Sequence, residues 1–325
     1  MKAAVIEKQG GLDGLSYRDW PDPVPDADDV IVRVKAVGLN HLDVFVRRGM
    51  PGFPVPMPFI SGGDIAGVVD SVGNDVTGWM PGDRVVVNPA TAKGMLGEER
   101  LGGLAELVAV PAANLIALPD ALDFRTAAAM PIAYGTAQRM LTTIGNVQSG
   151  ELMLVLGASG GVGTACVQIG RHLGARVIAA AGSAEKCRQL SELGADFTIN
   201  YGTDDFSREA WRISGKKGVD VAVNFTGGDT WVPTLKALRP RGRLLTCGAT
   251  AGHDPVTDLR YVWVRELQVL GSNSYSQDDI AQSIRLAAEG HFSPVISAVL
   301  PMSDIVEAHR LIEDRRLFGK IVMEP

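Results

Sequence analysis

The segment Leu154-Val-Leu-Gly-Ala-Ser-Gly-Gly-Val-Gly163 runs from an apolar stretch into a dense group of glycines. Its spacing suits phosphate binding. A buried strand ending at Leu156 would enter a turn made by Ala158, Ser159, Gly160, Gly161, Val162 and Gly163, with a helix starting near Gly161. Gly160 would let backbone approach a pyrophosphate, Gly163 would let the helix pack close to the sheet, and free N–H groups would face the phosphates. Ala158 stands where the first glycine of the pattern commonly falls, so the motif is A-x-G-x-x-G. An ordinary strand–helix turn carries similar glycines; the strand before, the helix after and a second strand–helix unit following make dinucleotide binding the expectation. The next strand, Val177–Ala181, selects the cofactor. A carboxylate commonly ends this strand, about 20 residues past the glycines, to hold a ribose 2′-hydroxyl. Here Gly182, Ser183 and Lys186 follow instead, leaving space, a hydroxyl donor and a cation for a 2′-phosphate. Ser183 as a helix cap and Lys186 as a solvated lysine are the alternative. NADPH is expected over NADH.

These residues need a scaffold, and the composition says which kinds are excluded. The chain has 325 residues, 38 of them glycine, and 31 basic against 37 acidic side chains, for a net charge of −6. The absence of a basic field argues against nucleic acid as a partner. No apolar stretch approaches the roughly 20 residues of a membrane helix, and Met1–Gly11 lacks the apolar core of a secretory signal. Cys166, Cys187 and Cys247 cannot form an even disulfide framework, which points to a reducing, cytoplasmic setting. The first third reads as short Val- and Ile-rich strands (Ala3–Ile6, Val30–Val37, Ile60–Val72, Arg84–Val87, Leu104–Val110) parted by turn residues. From residue 152 strands too apolar to have a wet face alternate with helices, the pattern of a parallel sheet covered on both sides. The chain after Asn273 is expected to return to the first domain. The fold class is therefore α/β: a β-rich domain of residues 1–122 and 273–325, and a doubly wound nucleotide-binding domain of residues 123–272.

The opening MKAAVIEKQGG, Gly38-Leu-Asn-His-Leu-Asp43, Gly73-Asn-Asp-Val-Thr-Gly-Trp-Met-Pro-Gly-Asp-Arg-Val85, Leu193-Gly-Ala-Asp196 and Phe318-Gly-Lys-Ile-Val-Met323, taken with the glycine turn, resemble the medium-chain dehydrogenase/reductase superfamily. The branch they resemble is that of the zinc-independent, zeta-crystallin-like quinone oxidoreductases. The resemblance implies a GroES-like catalytic domain and a Rossmann domain. It implies that Ser183, Lys186 and Tyr201 hold the 2′-phosphate. The nicotinamide side would be lined by Asn40, His41, Asp43, Thr136, Cys247, Gly248, Ala249, Gly271, Ser272 and Asn273. It also implies a homodimer joined through the sheet edge at Leu267–Gly271. Tyr201 as a sheet-edge aromatic and Asn40 as a turn-stabilising side chain are the plainer alternatives.

The zinc enzymes of that superfamily carry a Cys and a His where this chain has Asn40 and Gly63, with Asp64 next, and a four-cysteine lobe where residues 88–104 have none. Their proton-relaying hydroxyl falls at Leu42. No metal is expected. Hydride from a nicotinamide can reduce an electron-poor double bond without one, the charge collecting on the conjugated carbonyl. The expected function is an NADPH-dependent, zinc-independent oxidoreductase acting on a quinone or an α,β-unsaturated carbonyl compound. Asn40 would touch substrate or ribose, Asp43 would orient loop and cofactor, and Tyr134 is a candidate proton donor that could equally be a packing residue. An enoyl thioester would need a basic entrance, for which Arg47 and Arg48 are candidates if they are not a solvated face. A non-catalytic NADPH-binding role is the alternative from another class, and a metal-free alcohol dehydrogenase a third. The substrate wall is expected from Phe45, Met50–Phe59, Ala92–Leu101 and Tyr261–Trp263.

Overall fold

The computed structural model describes residues 1–50, 52 and 54–325. Two compact units are present: Met1–Ala133 with Ser276–Pro325, and Tyr134–Tyr275.

The first unit is built on one long strand. After the antiparallel pair β1 (Lys2–Ile6) and β2 (Leu15–Asp19), β3 (Asp29–Leu39) forms the spine, its Val and Ile residues buried. Helix α1 (His41–Arg48) follows. Then come β4 (Asp64–Val72), β5 (Arg84–Val87), the small pair β6 (Ala90–Thr91) and β7 (Gly94–Met95), β8 (Leu107–Pro111), β9 (Leu115–Ala117) and α2 (Phe124–Ala128). Helix α3 (Pro131–Gln138) crosses the boundary between units.

The second unit holds β10 (Leu152–Leu156), α4 (Gly161–His172), β11 (Arg176–Ala181), α5 (Ala184–Glu192), β12 (Phe197–Asn200), α6 (Phe206–Ile213), β13 (Val219–Val223), α7 (Trp231–Ala237), β14 (Leu238–Thr246), α8 (Arg260–Val264) and β15 (Gln268–Gly271). All six strands are parallel, in the order β12-β11-β10-β13-β14-β15. Strands β10 and β11 are buried almost throughout, which is why their sequences are apolar runs without alternation. The chain winds outward from β10 to β12, then returns to lay β13 on the other side of β10. That switch point opens a crevice at the carboxyl ends of the two strands.

The chain then re-enters the first unit as α9 (Gln277–Ala288), β16 (Ile296–Pro301), α10 (Ile305–Glu313) and β17 (Lys320–Glu324). Strand β17 pairs antiparallel with β3, Ile321 opposite Leu39 and Met323 opposite Val37. The resulting sheet runs β16-β17-β3-β4-β5-β9, with β8 also on β3.

Three features differ from the sequence expectation. The strand expected from Ile60 begins only at Asp64. Residues 60–63 are a loop whose backbone is packed by other glycines: a Cβ on Gly102 would lie 2.5 Å from both Ser61 O and Gly62 O. The second difference is α1, a helix in a stretch that reads as β-rich. It starts because Asp43 Oδ2 accepts the Asn40 N–H at 2.8 Å, the return half of a capping box, and eight residues are too few for a clear helical period. Third, residues 123–133 belong to the first unit, not the second. Helix α2 lies so close to β3 that a Cβ on Gly38 would be 2.2 Å from Ala128 O, and Asp64 Oδ1 accepts the Ile132 N–H at 2.7 Å. Among the described residues, no helix is long and apolar enough to cross a membrane.

Candidate active site

In the second unit the parallel register gathers the residues singled out by type. Leu156 lies opposite Ala180, Ala181 opposite Asn200, Val223 opposite Leu245, and Thr246 opposite Gly271. The segments that follow these strands therefore share one end of the sheet. They are Ala158–Gly163 after β10, Gly182–Lys186 after β11, Tyr201 after β12, Cys247–Ala249 after β14 and Gly271–Asn273 after β15. Gly157 turns with φ +63°, a left-handed conformation that glycine adopts at no steric cost. A Cβ on Gly163 would sit 2.4 Å from Gly157 O, so α4 can approach the turn only with glycine there. Gly160 is the reverse case: a Cβ would find nothing nearer than 3.8 Å, and the residue is exposed. Backbone at Gly160 is thus open to a ligand at the head of a twelve-residue helix whose dipole favours an anion. Ser183 caps α5 by accepting the Lys186 N–H at 3.3 Å, which leaves its O–H proton free to donate. Gly182 is exposed, and a Cβ there would lie 3.2 Å from the Tyr201 ring, itself 41 % exposed. Ser272 is buried and donates its N–H to Thr246 O, while Asn273 is exposed. Burial pushes the Cys247 thiol up to about 12 and raises Cys166 as well, so neither supplies a thiolate.

One loop at this end was not anticipated. Asn224–Gly227 follows β13, and Phe225 and Thr226 pack within 3.3 Å of the Cβ position of Gly157. Buried Asn224 ties the loop together: its Oδ1 accepts from the N–H groups of Thr226 and Gly227, and its Nδ2 donates to Thr230 and Thr234. The signal was a polar Asn-Phe-Thr-Gly run directly after an apolar strand.

The first unit gathers a different set. Lys320 Nζ, 4 % exposed, donates to Asp64 Oδ2 at 2.7 Å and to Asn40 Oδ1 at 2.6 Å. Asn40 Nδ2 donates to Asp64 Oδ2 at 2.9 Å. Asp64 is fully buried, and its other oxygen takes the Ile132 N–H. Asp43 accepts N–H bonds from Asn40 and from Gly62, each at 2.8 Å. Its carboxyl is pushed up to about 6 by burial, against the pull of those two bonds. Three segments far apart in sequence meet here, and two of their members, Asp64 and Lys320, were not among the expected site residues. Truncating one partner of such a buried pair leaves the other uncompensated, a loss of about 3–5 kcal/mol.

Other expected residues take the plainer role. Tyr134 is fully buried and its hydroxyl donates to Gln168 Oε1. Thr136, on the same helix, is also buried. His41 is exposed at the start of α1, with a pKa lowered by partial desolvation and then by Arg315, Lys320 and Arg48. Arg47 is not part of an open basic entrance. It lies on α1 at 1 % exposure, donating to His309 Nδ1, to Gly10 O and to Glu313, while Arg48 also pairs with Glu313 at 2.8 Å. Within the expected wall Met50–Phe59, Pro51 and Phe53 lie outside the described residues.

The residues at Asn40 and Gly63 do not fit a zinc ion. Both side-chain atoms of Asn40 are engaged by Asp64 and Lys320. Gly63 offers no donor atom, and a Cβ there would already touch Ile132 Cδ1 and Leu96 O at 3.1 Å. The oxygen of Asn40, the atom a metal would use, already accepts from the Lys320 ammonium. Among the described residues, the one group of three close ligand-type side chains is Asp26, Asp28 and Asp29, and Lys93 bridges two of them.

Residues 26–120 match the model of the alcohol dehydrogenase GroES-like domain, and residues 161–289 that of the zinc-binding dehydrogenase. Among curated proteins the chain is 31 % identical to an acryloyl-coenzyme A reductase of Sulfurisphaera tokodaii, covering 100 % of both. It is 33 % identical to a 2-haloacrylate reductase of a Burkholderia species, over 99 % of this chain and 98 % of the relative. It is 31 % identical to a quinone oxidoreductase of Pseudomonas aeruginosa, over 97 % of each. A solved structure described as an NAD-dependent alcohol dehydrogenase superposes with a TM-score of 0.95 at 40 % identity, covering 100 % of both chains. With full-length relatives at this identity and both domain models in place, the chain belongs to the medium-chain dehydrogenase/reductase superfamily of oxidoreductases.

Proposed function

We propose that this protein is an NADPH-dependent reductase that delivers hydride, without zinc, to the electron-poor double bond of a quinone or an α,β-unsaturated carbonyl compound. The observation that carries the reading is the cluster of half-buried Asn40 with buried Asp64 and Lys320: an amide, a carboxylate and an ammonium satisfy one another at the position where the resemblance puts a zinc ligand. Activation of a simple alcohol leans on a Lewis acid worth several kcal/mol; reduction of a conjugated double bond does not. The names of three relatives support the same chemistry, since acryloyl thioesters, 2-haloacrylates and quinones all present a double bond conjugated to a carbonyl.

The residues fit the cofactor as follows. Gly160, Gly161 and Gly163 would hold its pyrophosphate, and Ser183, Lys186 and Tyr201 its 2′-phosphate. Thr136, Cys247–Ala249 and Gly271–Asn273 would line its nicotinamide end. When bound, it supplies the hydride. Beyond its bond to Asp64, Asn40 Nδ2 reaches Gly38 O only at a long 3.4 Å, which suits its second proton to turn to a ribose or a substrate oxygen. Asp43 fixes the loop that carries Asn40. Tyr134, packed on Gln168, is left out of the chemistry, and water is the proton source. A second reading, an enoyl-thioester reductase, is favoured by the acryloyl-coenzyme A reductase relative but loses Arg47 as a phosphate contact. The exposed edge strand β15 and its apolar neighbours support a homodimer.

The test is loss of NADPH absorbance across a panel of quinones, enones, 2-haloacrylates and enoyl thioesters, with NADH in parallel. We expect turnover with at least one conjugated acceptor, a preference for NADPH of tenfold or more, none with simple alcohols, and no stoichiometric zinc by elemental analysis. Equal affinity for both cofactors would remove the assignment of Ser183 and Lys186. Tight NADPH binding with no turnover would favour a binding protein.

A further inference from the structure

Lys320 lies outside everything assigned above to substrate or cofactor, yet it contacts the residue proposed to meet them. Its ammonium approaches from β17 and bonds the carbonyl oxygen of the Asn40 amide at 2.6 Å, while the amide nitrogen bonds Asp64 at 2.9 Å. Asp64 is held in turn by Lys320 at 2.7 Å and by the Ile132 N–H at 2.7 Å. An amide has two faces that differ only in which atom is oxygen. A cation on one side and a carboxylate on the other leave a single orientation that satisfies both, since the flipped amide would aim its N–H groups at an ammonium and its oxygen at a carboxylate. The backbone of Asn40 is pinned independently through Asp43.

We propose that Lys320 and Asp64 are positioning residues for the reaction: they lock the Asn40 amide with its oxygen on the ammonium and its nitrogen on the carboxylate, so that the second N–H, held only by a long 3.4 Å contact to Gly38 O, is the group a ligand can claim. The selected substrate group is thereby an acceptor, such as a carbonyl oxygen gaining charge. A group that can only donate, such as an ammonium, would meet the wrong atom. This rests on the reading that Asn40 touches substrate or ribose.

Three variants separate positioning from mere support of the fold. K320R retains a cation with several donors. K320M leaves Asp64 buried and unpaired and is open to misfolding. D64L/K320M replaces the pair with apolar groups of similar size, an exchange that buried ion pairs often tolerate. We expect D64L/K320M to melt cooperatively and to bind NADPH within about twofold of the parent, with kcat down roughly 30-fold and KM for the acceptor little changed. Misplacement by about 1 Å typically costs up to 10²-fold. K320R should recover most of kcat. A folded D64L/K320M enzyme with parental kcat, or a K320R as impaired as D64L/K320M, overturns the proposal. If the parent turns over no acceptor, the functional reading fails separately. The locking is then read from the side-chain amide resonances of Asn40, whose protons should exchange slowly in the parent and at least tenfold faster in D64L/K320M. Equal exchange rates would sink it.

Discussion

Asp43 and His309 are buried in the same unit and titrate in opposite senses. Burial raises Asp43 from 3.8 to about 6, and burial with the Arg47 cation beside it lowers His309 from 6.5 to about 3. Between pH 3.8 and 6 the folded chain keeps a proton on Asp43 that the unfolded chain releases, so this group stabilises the fold in acid and its contribution is lost as pH rises through 6. Below pH 6.5 the unfolded chain protonates His309 while the folded chain does not, so stability falls as pH drops from 6.5 towards 3. Each slope is at most about 1.4 kcal/mol per pH unit, and the two largely cancel between pH 6 and 4. Asp43→Asn removes one side of the balance. Its urea-unfolding free energy should fall more steeply in acid than the parent's, by up to about 1.4 kcal/mol per pH unit; parallel curves would contradict it. At this scale the sequence was legible where chemistry is local. The glycine turn and the Ser183 cap are read from neighbours a few residues away, whereas Tyr201 entered only through the resemblance. Arg47 was not, because two adjacent arginines look like a wet surface. Its burial depends on His309 and Glu313, 262 and 266 residues further along.

The glycines of the β10–α4 turn have separable jobs. A methyl at Gly163 would meet Gly157 O at 2.4 Å and Ala158 Cα at 2.6 Å, backbone atoms that cannot swing aside. A methyl at Gly160 would meet nothing closer than 3.8 Å and would project into the space proposed for phosphate. Gly163→Ala should therefore lower the melting temperature, by overpacking worth about 1–3 kcal/mol, and weaken NADPH binding with it. Gly160→Ala should leave the melting temperature within a degree or two and still weaken NADPH at least tenfold in a fluorescence titration. Parental affinity in Gly160→Ala would place the phosphates elsewhere. The parallel sheet was legible from its apolar runs. Helix α1 was not: at eight residues it shows too little period, and its start signal, Asn40 with Asp43, was read as chemistry instead of as a cap.

For the whole molecule, strand β15 is the conspicuous edge. Val269 on it is 43 % exposed, and Leu259, Trp263 and Val264 just before it are each more than 60 % exposed. Unpaired edges with apolar side chains invite pairing unless they are covered. A homodimer joined through β15 follows as the expected state, with light scattering near twice 34.4 kDa. Val269→Lys should shift it towards monomer while leaving NADPH affinity unchanged. A parent chain that scatters as a monomer would dismiss this interface.

The return of the chain to its first sheet also sets an order of assembly. The second unit is contiguous, Tyr134–Tyr275, and every strand of its sheet is present once residue 271 has left the ribosome. The first unit is spliced across it. Until Lys320–Glu324 is synthesised, the Val37–Leu39 end of β3 lacks the partner that β17 provides, and Asp64 sits in its core without a cation. The nucleotide-binding half is thus able to mature on the growing chain while the half proposed to choose the substrate waits, its buried charge neutralised by a residue made after the whole of the second unit.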